Sequence, residues 1–418
     1  MASGPGFETL SMESIHPSGM PSLAERLYKS VGARSDFISV RDALLVDDLS
    51  VALSKCMHTP ERCVLTSTVS RDFLKTVEFI KRLRDEDVNL DIAYSIKTNP
   101  CIELVKLSQS SGFLAEAISQ FEVKHALNQG FRSEQIVLNG PGKWWPSPLN
   151  CGPYKVVFCD SLGELRNLVK RTRDPIAEYI GIRVRPFTIN SRFGIPIFEE
   201  TYFQEVVSLL RSLPSHQGIG FQFHVASSSC GIRNWQFLAQ NFIGALRYIN
   251  EQVGHRKMLV SLGGGWHPAD WNAALTHSFF GILEEFTAQL KGLQGIVCEP
   301  GKALAQQSMC LITKVLEVKR YANENEIIVD GSIAELPDIQ SHVHRVLSFA
   351  QDGSSLQLWP RGTGRILGRL CMEHDVLAMN IKIPDHLRSG AYVIFLDCGA
   401  YDASMSYRFG AGQNLARW

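Results

Sequence analysis

Five features that can do chemistry stand near the ends of predicted β-strands. Lys97 follows one short apolar strand, while Glu116 lies on a second and His224 follows a third. A glycine triplet, Gly263–Gly265, and Glu299 stand at the ends of two more. Taken singly, each has an ordinary explanation: a solvated lysine, a capping glutamate, a core histidine or a turn. Together they supply an amine nucleophile, two carboxylates, a flat imidazole and backbone amides able to cradle a phosphate.

This combination matches the chemical needs of pyridoxal 5'-phosphate (PLP). The aldehyde of PLP needs a lysine for a Schiff base, and Lys97 is the candidate. Its ring nitrogen needs a carboxylate in order to stay protonated and draw in electrons. Its phosphate needs backbone amides, and its ring needs a flat neighbour such as His224. The residues therefore predict a PLP site if one rim of the fold gathers them.

Eight short β-rich runs alternate with helical stretches between about residues 88 and 300, and these elements must position the site. The predicted strands are Leu90–Ile96, Phe113–Ala117, Gln135–Asn139, Tyr154–Cys159, Tyr179–Arg185, Ile219–Val225, Lys257–Leu262 and Gly295–Glu299. Eight such units favour a (β/α)8 TIM barrel, whose strands all point their carboxyl ends at one mouth. A doubly wound sheet is the alternative.

Helix boundaries between these strands carry recognisable signals. Capping boxes, in which a hydroxyl and a side chain three positions later satisfy free amides, predict helix starts at Ser119, Ser161 and Thr201. Gly112 and Gly130 stand where glycines commonly end helices. These signals support the alternation of strands and helices.

The chain divides into three parts that differ in composition and in the pattern of predicted strands and helices. Residues 1–35 are rich in Ser, Gly and Pro and are predicted to form a loose lead. Residues 36–305 form the predicted barrel domain. Residues 306–418 carry β-rich runs without intervening helices, which indicates a C-terminal β-sandwich or β-barrel domain. The predicted strands there are Leu311–Val318, Glu326–Asp330, Ile366–Cys371, Val376–Ile383 and Ala391–Leu396. The predicted fold class is α/β plus β.

Composition excludes several kinds of function. The 418 residues include 42 Lys plus Arg and 42 Asp plus Glu, so the chain lacks the charge of a nucleic-acid binder or a polybasic membrane protein. No apolar run is long enough for a transmembrane helix, and the first residues lack the apolar core of a secretory signal. The ten cysteines form no CxxC pair and no zinc-ligand spacing, so no metal site is predicted. We expect a cytoplasmic enzyme that acts on a small molecule.

The motifs, taken in order, resemble those of the PLP-dependent amino-acid decarboxylases of the alanine-racemase fold (fold type III), such as the ornithine and diaminopimelate decarboxylases. The resemblance extends from about residue 36 to 410. It rests on Tyr94–Asn99, Glu116 with Ser119–Glu122, Ser191–Gly194, His224–Ser227, Gly263–Gly265, Glu299–Gly301, Cys371 with Asp375, and Gly399–Tyr401.

The resemblance implies a role for each matching residue. Lys97 would hold PLP, His224 would stack on its ring, and Glu299 would pair with its ring nitrogen. Glu116 and Arg183 would form a supporting pair beside the cofactor. The phosphate would be bound by Ser227, Gly263, Gly264, Gly265, Gly301 and Tyr401.

The resemblance also implies a homodimer with active sites at the subunit interface. Cys371, on the β-domain, would reach the partner's active site and return a proton to Cα after CO₂ leaves. The segment around Asp36–Val40 would join the β-domain as a strand. Glu299 favours decarboxylation over racemisation, because the racemases of this fold oppose the ring nitrogen with an arginine.

Departures from the family pattern bear on the substrate. Lys302 stands where the family commonly has arginine, and His224-Val-Ala-Ser replaces the commoner His-Val-Gly-Ser. Met372 follows Cys371, whereas family members that produce diamines place an acidic residue there to hold the distal ammonium. Glu373 is an alternative acid one position later. The candidate substrate-binding residues are Met372, Glu373, Asp375, Arg369 and Phe409.

Three functional hypotheses remain open at this point. The string around Cys371 is similar to decarboxylases of carboxylate siderophore pathways, which act on an amino acid joined to citrate; Arg369, Arg408 and Lys143 would then meet the extra carboxylates. An ornithine-, lysine- or diaminopimelate-type decarboxylase acting on a free amino acid is the alternative. An amino-acid racemase, or a non-catalytic regulator that keeps the fold, is the third.

Overall fold

The computed structural model describes residues 43–147, 151–170, 176–186, 191–226, 230–273, 279–322, 324–349 and 356–409. The first strand of the described chain is the short β1 (Glu61–Val64). Eight parallel strands then close into a barrel in sequence order. They are β2 (Leu90–Ser95), β3 (Leu114–Ala117), β4 (Ile136–Leu138), β5 (Tyr154–Cys159), β6 (Ala177–Val184), β7 (Gly218–Phe223), β8 (Met258–Ser261) and β9 (Leu293–Cys298). All eight predicted strands and the barrel are confirmed, and the doubly wound sheet was wrong.

Alternation along the strands separates the barrel interior from the layer under the helices. In β2, Ala93 belongs to a small interior cluster with Phe158 and Tyr179. Its neighbours Ile92 and Tyr94 face the larger core between strands and helices. Successive side chains of a strand point to opposite faces, so Ser95 and the position of Lys97 continue the interior face of Ala93 toward the mouth.

Helices surround the barrel and leave its mouth to the loops after the strands, except for the first helix, which packs on the β-domain. They are α1 (Ala43–Lys55), α2 (Thr66–Asp85), α3 (Ile102–Ser110), α4 (Gln120–Asn128), α5 (Leu162–Val169), α6 (Glu200–Ser212), α7 (Ile232–Gln252), α8 (Pro268–Ala273), α9 (Phe280–Gln289) and α10 (Gly301–Ala305). Most barrel strands lead through a loop to the amino terminus of a helix, although β4 leads to β5 with no helix between them in the described part of the chain.

Two of the three predicted helix starts are confirmed. The hydroxyls of Ser119 and Ser161 accept the amides of Glu122 and Glu164. The start at Thr201 was wrong, since α6 begins one residue earlier and its first turn receives no side-chain cap. The glycines predicted to end helices do so, with φ of 77° at Gly112 and 94° at Gly130.

The β-domain is a mixed sheet that draws on both ends of the chain. Its remaining strands are β10 (Met309–Arg320), β11 (Asn325–Val329), β12 (Val346–Phe349), β13 (Leu356–Leu358), β14 (Arg361–Leu367), β15 (Val376–Ile381) and β16 (Tyr392–Phe395). Their order is β13-β12-β16-β10-β11-β14-β15, and within the described part of this sheet only β11 and β14 pair in parallel. We propose the boundary between the two domains at residues 305–306, between α10 and β10.

Two details of the β-domain differ from the predictions. Cys371 lies on a turn after β14 rather than on a strand. The strands β12 and β13, and the early strand β1 that pairs antiparallel with β10, were not predicted. The predicted strand Asp36–Val40 lies outside the described residues. Arg62 helps to anchor β1, because its guanidinium donates to the carbonyl of Glu335 at 2.5 Å.

The loop after β16 joins the β-domain to the barrel mouth. Asn99 Nδ2, just beyond Lys97, donates to the carbonyl of Gly399 at 2.7 Å. The amide of Tyr401 donates to the carbonyl of Thr98 at 2.8 Å. Gly399 also donates its own amide to Gln306 at 3.1 Å. These contacts hold the Gly399–Tyr401 loop directly against the loop that carries Lys97.

None of the helices in the described part of the chain is both long and apolar enough to cross a membrane.

The close approach at Gly399 gives a test of this junction. A Cβ at Gly399 would lie 1.7 Å from the carbonyl oxygen of Ala305, so Gly399→Ala must displace backbone. We expect it to lower the free energy of unfolding by about 3 kcal/mol. Gly244→Ala is the control, because Gly244 lies inside α7 with open space around it, and we expect a gain of about 0.5–1 kcal/mol. Urea denaturation measures both variants, and equal stabilities would contradict the proposed close packing.

Candidate active site

Lys97 forms an ion pair at the barrel mouth. Its Nζ contacts the carboxylate of Glu116 and lies 2.8 Å from Ser95 Oγ. The three side chains come from β3 and from the end of β2, which are neighbouring strands. Burial opposes the charge on Lys97, but the carboxylates of Glu116 and Glu299 outweigh it and raise the pKa of the ammonium. In this arrangement Lys97 is held as an ammonium.

Glu116 lies within the mouth and is completely buried. Besides Lys97, it accepts hydrogen bonds from Ser95 Oγ at 2.5 Å and Asn139 Nδ2 at 3.5 Å. Arg183, predicted to form a supporting pair with Glu116 beside the cofactor, makes no direct salt bridge to it among the described residues. The guanidinium carbon of Arg183 lies 4.6 Å from the ring centre of Phe193, and the supporting role of the pair stays a prediction.

Glu299 presents its two oxygens unequally. Its Oε1 accepts hydrogen bonds from Gln222 Nε2 at 2.7 Å and from Ser261 Oγ at 2.6 Å. Its Oε2 is buried without a hydrogen-bond partner, and His224 Nδ1 lies 3.9 Å away. Burial alone would raise the pKa of Glu299, but the positive charge of Lys97 and the hydrogen bond from Ser261 lower it overall. Glu299 is therefore an ionised carboxylate with one oxygen available.

His224 stands between Glu299 and the glycine triplet. The amide of Gly264 donates to its Nδ1 at 3.2 Å, so Nδ1 carries no proton in this arrangement. Burial, together with the charges of Arg183 and Lys97, lowers the pKa of His224 despite the attraction of Glu299. The imidazole is therefore neutral.

The glycine triplet is wedged against the ends of the neighbouring strands. A Cβ at Gly264 would lie 2.4 Å from the carbonyl oxygen of Glu299, and one at Gly265 would lie 2.5 Å from the Cβ of Ala226. Gly263 and Gly265 also have φ of 66° and 80°, where side chains are strained. These positions need glycine because backbone must approach backbone here.

Of the remaining residues predicted to hold the phosphate, Gly301 and Tyr401 lie around the same rim. Gly301 packs so closely on the loop after β2 that a Cβ would lie 2.2 Å from Thr98 Oγ1. Tyr401 has φ of 67° and is bonded to Thr98 through its amide. Ser227 lies outside the described residues. The barrel thus brings together Lys97, Glu116, His224, the glycine triplet, Glu299, Gly301 and Tyr401.

The predicted substrate-binding residues lie on the β-domain. Cys371, Glu373 and Phe409 are exposed, while Met372 is half-buried against the β-domain core. Asp375 is buried, and its two oxygens accept the amides of Ile333 and Leu370 at 2.8 and 2.7 Å. Asp375 is therefore occupied in holding the turn that carries Cys371.

Two cations that were predicted to meet extra substrate carboxylates are already paired. Arg369 makes two hydrogen bonds to the buried carboxylate of Glu335, at 2.7 and 2.9 Å. Lys143 is fully buried and lies 2.7 Å from a carboxylate oxygen of Glu164. Each charge is therefore neutralised inside the protein, and the predicted contacts of Arg369 and Lys143 with a substrate stay predictions. Arg408 is exposed.

Three residues of the site were missed by sequence reasoning. Ser95 and Ser261 each lie on the mouth-facing side of a strand end, and Gln222 stands two positions before His224. The period-two alternation of strands was the available signal, since residues two apart share a face. Their types alone did not indicate a role.

One buried group resembles a metal site, although the sequence predicted none. Ligand atoms of His344, Cys398 and Asp402 lie within 4.8 Å of one another. His344 Nε2 is 3.2 Å from Asp402 Oδ2. Burial alone would lower the pKa of His344, but Asp402 raises it overall. This ion pair accounts for the arrangement.

The residues on the rim fit PLP by the groups they supply and by a buried oxygen that lacks a hydrogen-bond partner. Lys97 supplies the amine, and the unpartnered Oε2 of Glu299 is a buried acceptor that needs a donor such as a protonated ring nitrogen. The neutral imidazole of His224, beside Glu299, supplies a flat face. PLP supplies both the aldehyde and the ring nitrogen that these groups lack.

Comparisons with known proteins agree with this site. Residues 74–306 match the family model described as "Pyridoxal-dependent decarboxylase, pyridoxal binding domain". The diaminopimelate decarboxylase of Archaeoglobus fulgidus is 26% identical over 347 residues, which cover 77% of this chain and 80% of that protein.

Two solved structures share the fold. The diaminopimelate decarboxylase of M. jannaschii, solved with L-lysine, has a TM-score of 0.70 at 18% identity, covering 85% of this chain and 86% of that one. The lysine decarboxylase of Selenomonas ruminantium has a TM-score of 0.67 at 19% identity, covering 88% and 94%. Since the family model spans more than half of the chain, the protein belongs to the pyridoxal-dependent decarboxylases.

Proposed function

We propose that this PLP-dependent enzyme removes the α-carboxylate of an amino acid, with Lys97 holding the cofactor and Glu299 facing its ring nitrogen. One observation carries the proposal: an ammonium paired with Glu116 shares a mouth with a buried carboxylate that has one free oxygen. A structural salt bridge alone does not require the second carboxylate to stay unpartnered.

The ionised Glu299 separates decarboxylation from the racemase alternative. When bound, PLP accepts the electron pair released from the bond between Cα and the carboxylate. A carboxylate at the ring nitrogen keeps that nitrogen protonated and so strengthens this withdrawal of electrons. The lowered pKa of Glu299, caused by its neighbours against the effect of burial, supports this role.

Glu116 is placed to accept the proton that Lys97 must lose. An ammonium is not a nucleophile, so Lys97 must lose a proton before it reacts with a carbonyl. Glu116 contacts Nζ and is buried, which makes it the nearest acceptor. Ser95 contacts both groups and keeps them aligned.

The proton returned to Cα is proposed to come from Cys371 of a second copy. Cys371 is an exposed thiol on a turn that Asp375 holds through two backbone amides. A rigid, outward-facing thiol suits transfer across an interface between two copies. We therefore propose a homodimer in which each active site combines residues of both chains.

The substrate is proposed to be a free amino acid. The siderophore hypothesis, a citryl conjugate, depended on three cations, and two of them, Arg369 and Lys143, are paired inside the protein. Relatives that resemble this chain are diaminopimelate decarboxylases. Met372 in place of an acid after Cys371 favours a substrate whose distal end is not a simple ammonium. Cytoplasmic placement is proposed because all ten cysteines are free thiols.

Replacing Lys97 tests the central assignment. In Lys97→Ala we expect borohydride reduction to leave no PLP-modified peptide and kcat/KM to fall about a thousandfold or more. The control is Lys106→Ala, an exposed lysine on α3. Peptide mass spectrometry after reduction locates the label. A label that persists on another lysine would contradict the assignment.

Mixing two inactive variants tests the shared active site. In a mixed dimer of Lys97→Ala and Cys371→Ala, both defects fall in the same site, so the other site stays intact. We expect a 1:1 mixture, after dissociation and reassociation, to recover about a quarter of the wild-type kcat. Cys56→Ala, another free thiol, is the control and should retain full activity alone. No recovery from a mixture shown to contain mixed dimers would contradict a shared site.

A substrate screen tests the choice between free and conjugated amino acids. We expect CO₂ release from a free amino acid, with kcat/KM at least about tenfold above that for its citryl conjugate, since added carboxylates without partners are costly to bind. Arg408→Ala serves as the matched variant. Faster release from the conjugate, lost in Arg408→Ala, would restore the siderophore hypothesis.

A further inference from the structure

We propose that Gln222 and Ser261 are positioning residues that decide which oxygen of Glu299 faces the cofactor and keep that carboxylate ionised. The inference rests on the proposed function, because it assigns Glu299 to the ring nitrogen of PLP. It adds two residues that the sequence motifs do not single out.

The three side chains come from neighbouring strands at one level of the barrel. Gln222 on β7 and Ser261 on β8 are direct cross-strand partners, and Glu299 follows β9. Both donors are fully buried, and Glu299 is 1% exposed. Water therefore cannot substitute for either donor if it is removed.

Both donors bind the same oxygen. Gln222 Nε2 and Ser261 Oγ lie 2.7 and 2.6 Å from Oε1 of Glu299. Oε2 receives neither and has no other hydrogen-bond partner. The carboxylate is thus held through Oε1, and Oε2 remains available to a ligand.

The direction of these hydrogen bonds is settled by their neighbours. The amide nitrogen of a glutamine side chain can only donate. Ser261 Oγ already accepts the amide of Gly263 at 3.1 Å, which leaves its hydroxyl proton for Glu299. A proton on Oε1 would face two donors, so the array accepts Glu299 only when Oε1 is unprotonated.

The consequence concerns where a shared proton resides. Two hydrogen bonds to Oε1 withdraw charge from the carboxylate and make Oε2 a weaker base. A proton between Oε2 and the ring nitrogen therefore stays on the nitrogen. Ser261 also accepts the amide of Gly263. One hydroxyl therefore contacts both Glu299, which would face the ring, and the glycine triplet, which would bind the phosphate.

Two variants remove one donor each. Ser261→Ala deletes the hydroxyl, while Gln222→Met keeps the length of the side chain and replaces the amide. Gln222→Met also removes Gln222 Oε1, which is buried without a partner, and this gain offsets part of the cost of leaving Glu299 with a single donor. Ser108→Ala is the matched control, since Ser108 is a buried serine that donates only to the carbonyl of Val105 in α3.

The experiment loads each full-length protein with PLP labelled with ¹⁵N in the ring and records the ¹⁵N NMR shift. We expect the wild type and Ser108→Ala to show a protonated ring nitrogen, and both site variants to shift toward the unprotonated value. The dissociation constant of PLP, from titration of the apoprotein, should rise about tenfold in each. In addition, kcat should fall about tenfold with little change in KM.

Glu299→Gln separates the failure of this inference from that of the proposed function. If Glu299→Gln leaves the ¹⁵N shift unchanged, Glu299 does not face the ring nitrogen and the proposed function loses its support. If Glu299→Gln moves the shift while Ser261→Ala and Gln222→Met do not, only the positioning role is overturned. Should Ser261→Ala fail to fold by circular dichroism, Gln222→Met decides alone.

Discussion

Closure of the parallel barrel is the constraint on which the rest of the structure depends. The last barrel strand, β9, pairs with the first, β2, with Leu90 opposite Ile296 and Ile92 opposite Cys298. Because all eight strands run the same way, closure sets the residues that follow them on a single rim. Lys97 and Glu299 are far apart in sequence but follow these two adjacent strands. The site forms because β9 pairs with β2 and brings Lys97 and Glu299 to neighbouring positions on the rim.

Charge in the mouth is balanced locally rather than by solvent. An isolated charge at this depth would be neutralised by a shifted pKa, but Lys97 and Glu116 pair directly. Glu299 reaches the same end by accepting two neutral donors, Gln222 and Ser261. Paired and hydrogen-bonded charges of this kind need little rearrangement during reaction, which is how preorganised sites stabilise developing charge.

Periodicity along the chain predicted the barrel strands and most of the residues on its rim. Strand alternation and the βα repeat are local signals, so Lys97, Glu116, His224 and the glycine triplet could be assigned to strand ends from sequence. Partner choice is not local. The pairing of β1 with β10, and the ion pairs that bind Arg369 and Lys143, join residues far apart in sequence, and no short pattern indicates them.

The network that pairs Arg369 also holds the turn that carries Cys371. Arg369 is tied to Glu335, Asp375 holds the amides of Leu370 and Ile333, and a side chain at Gly368 would meet the Asp375 carboxylate at 2.3 Å. Contacts within one chain therefore fix the turn. In the proposed dimer, the position of the Cys371 thiol relative to Cα would then depend on how two copies dock, and residues buried around Asp375 would act on proton return without touching the substrate.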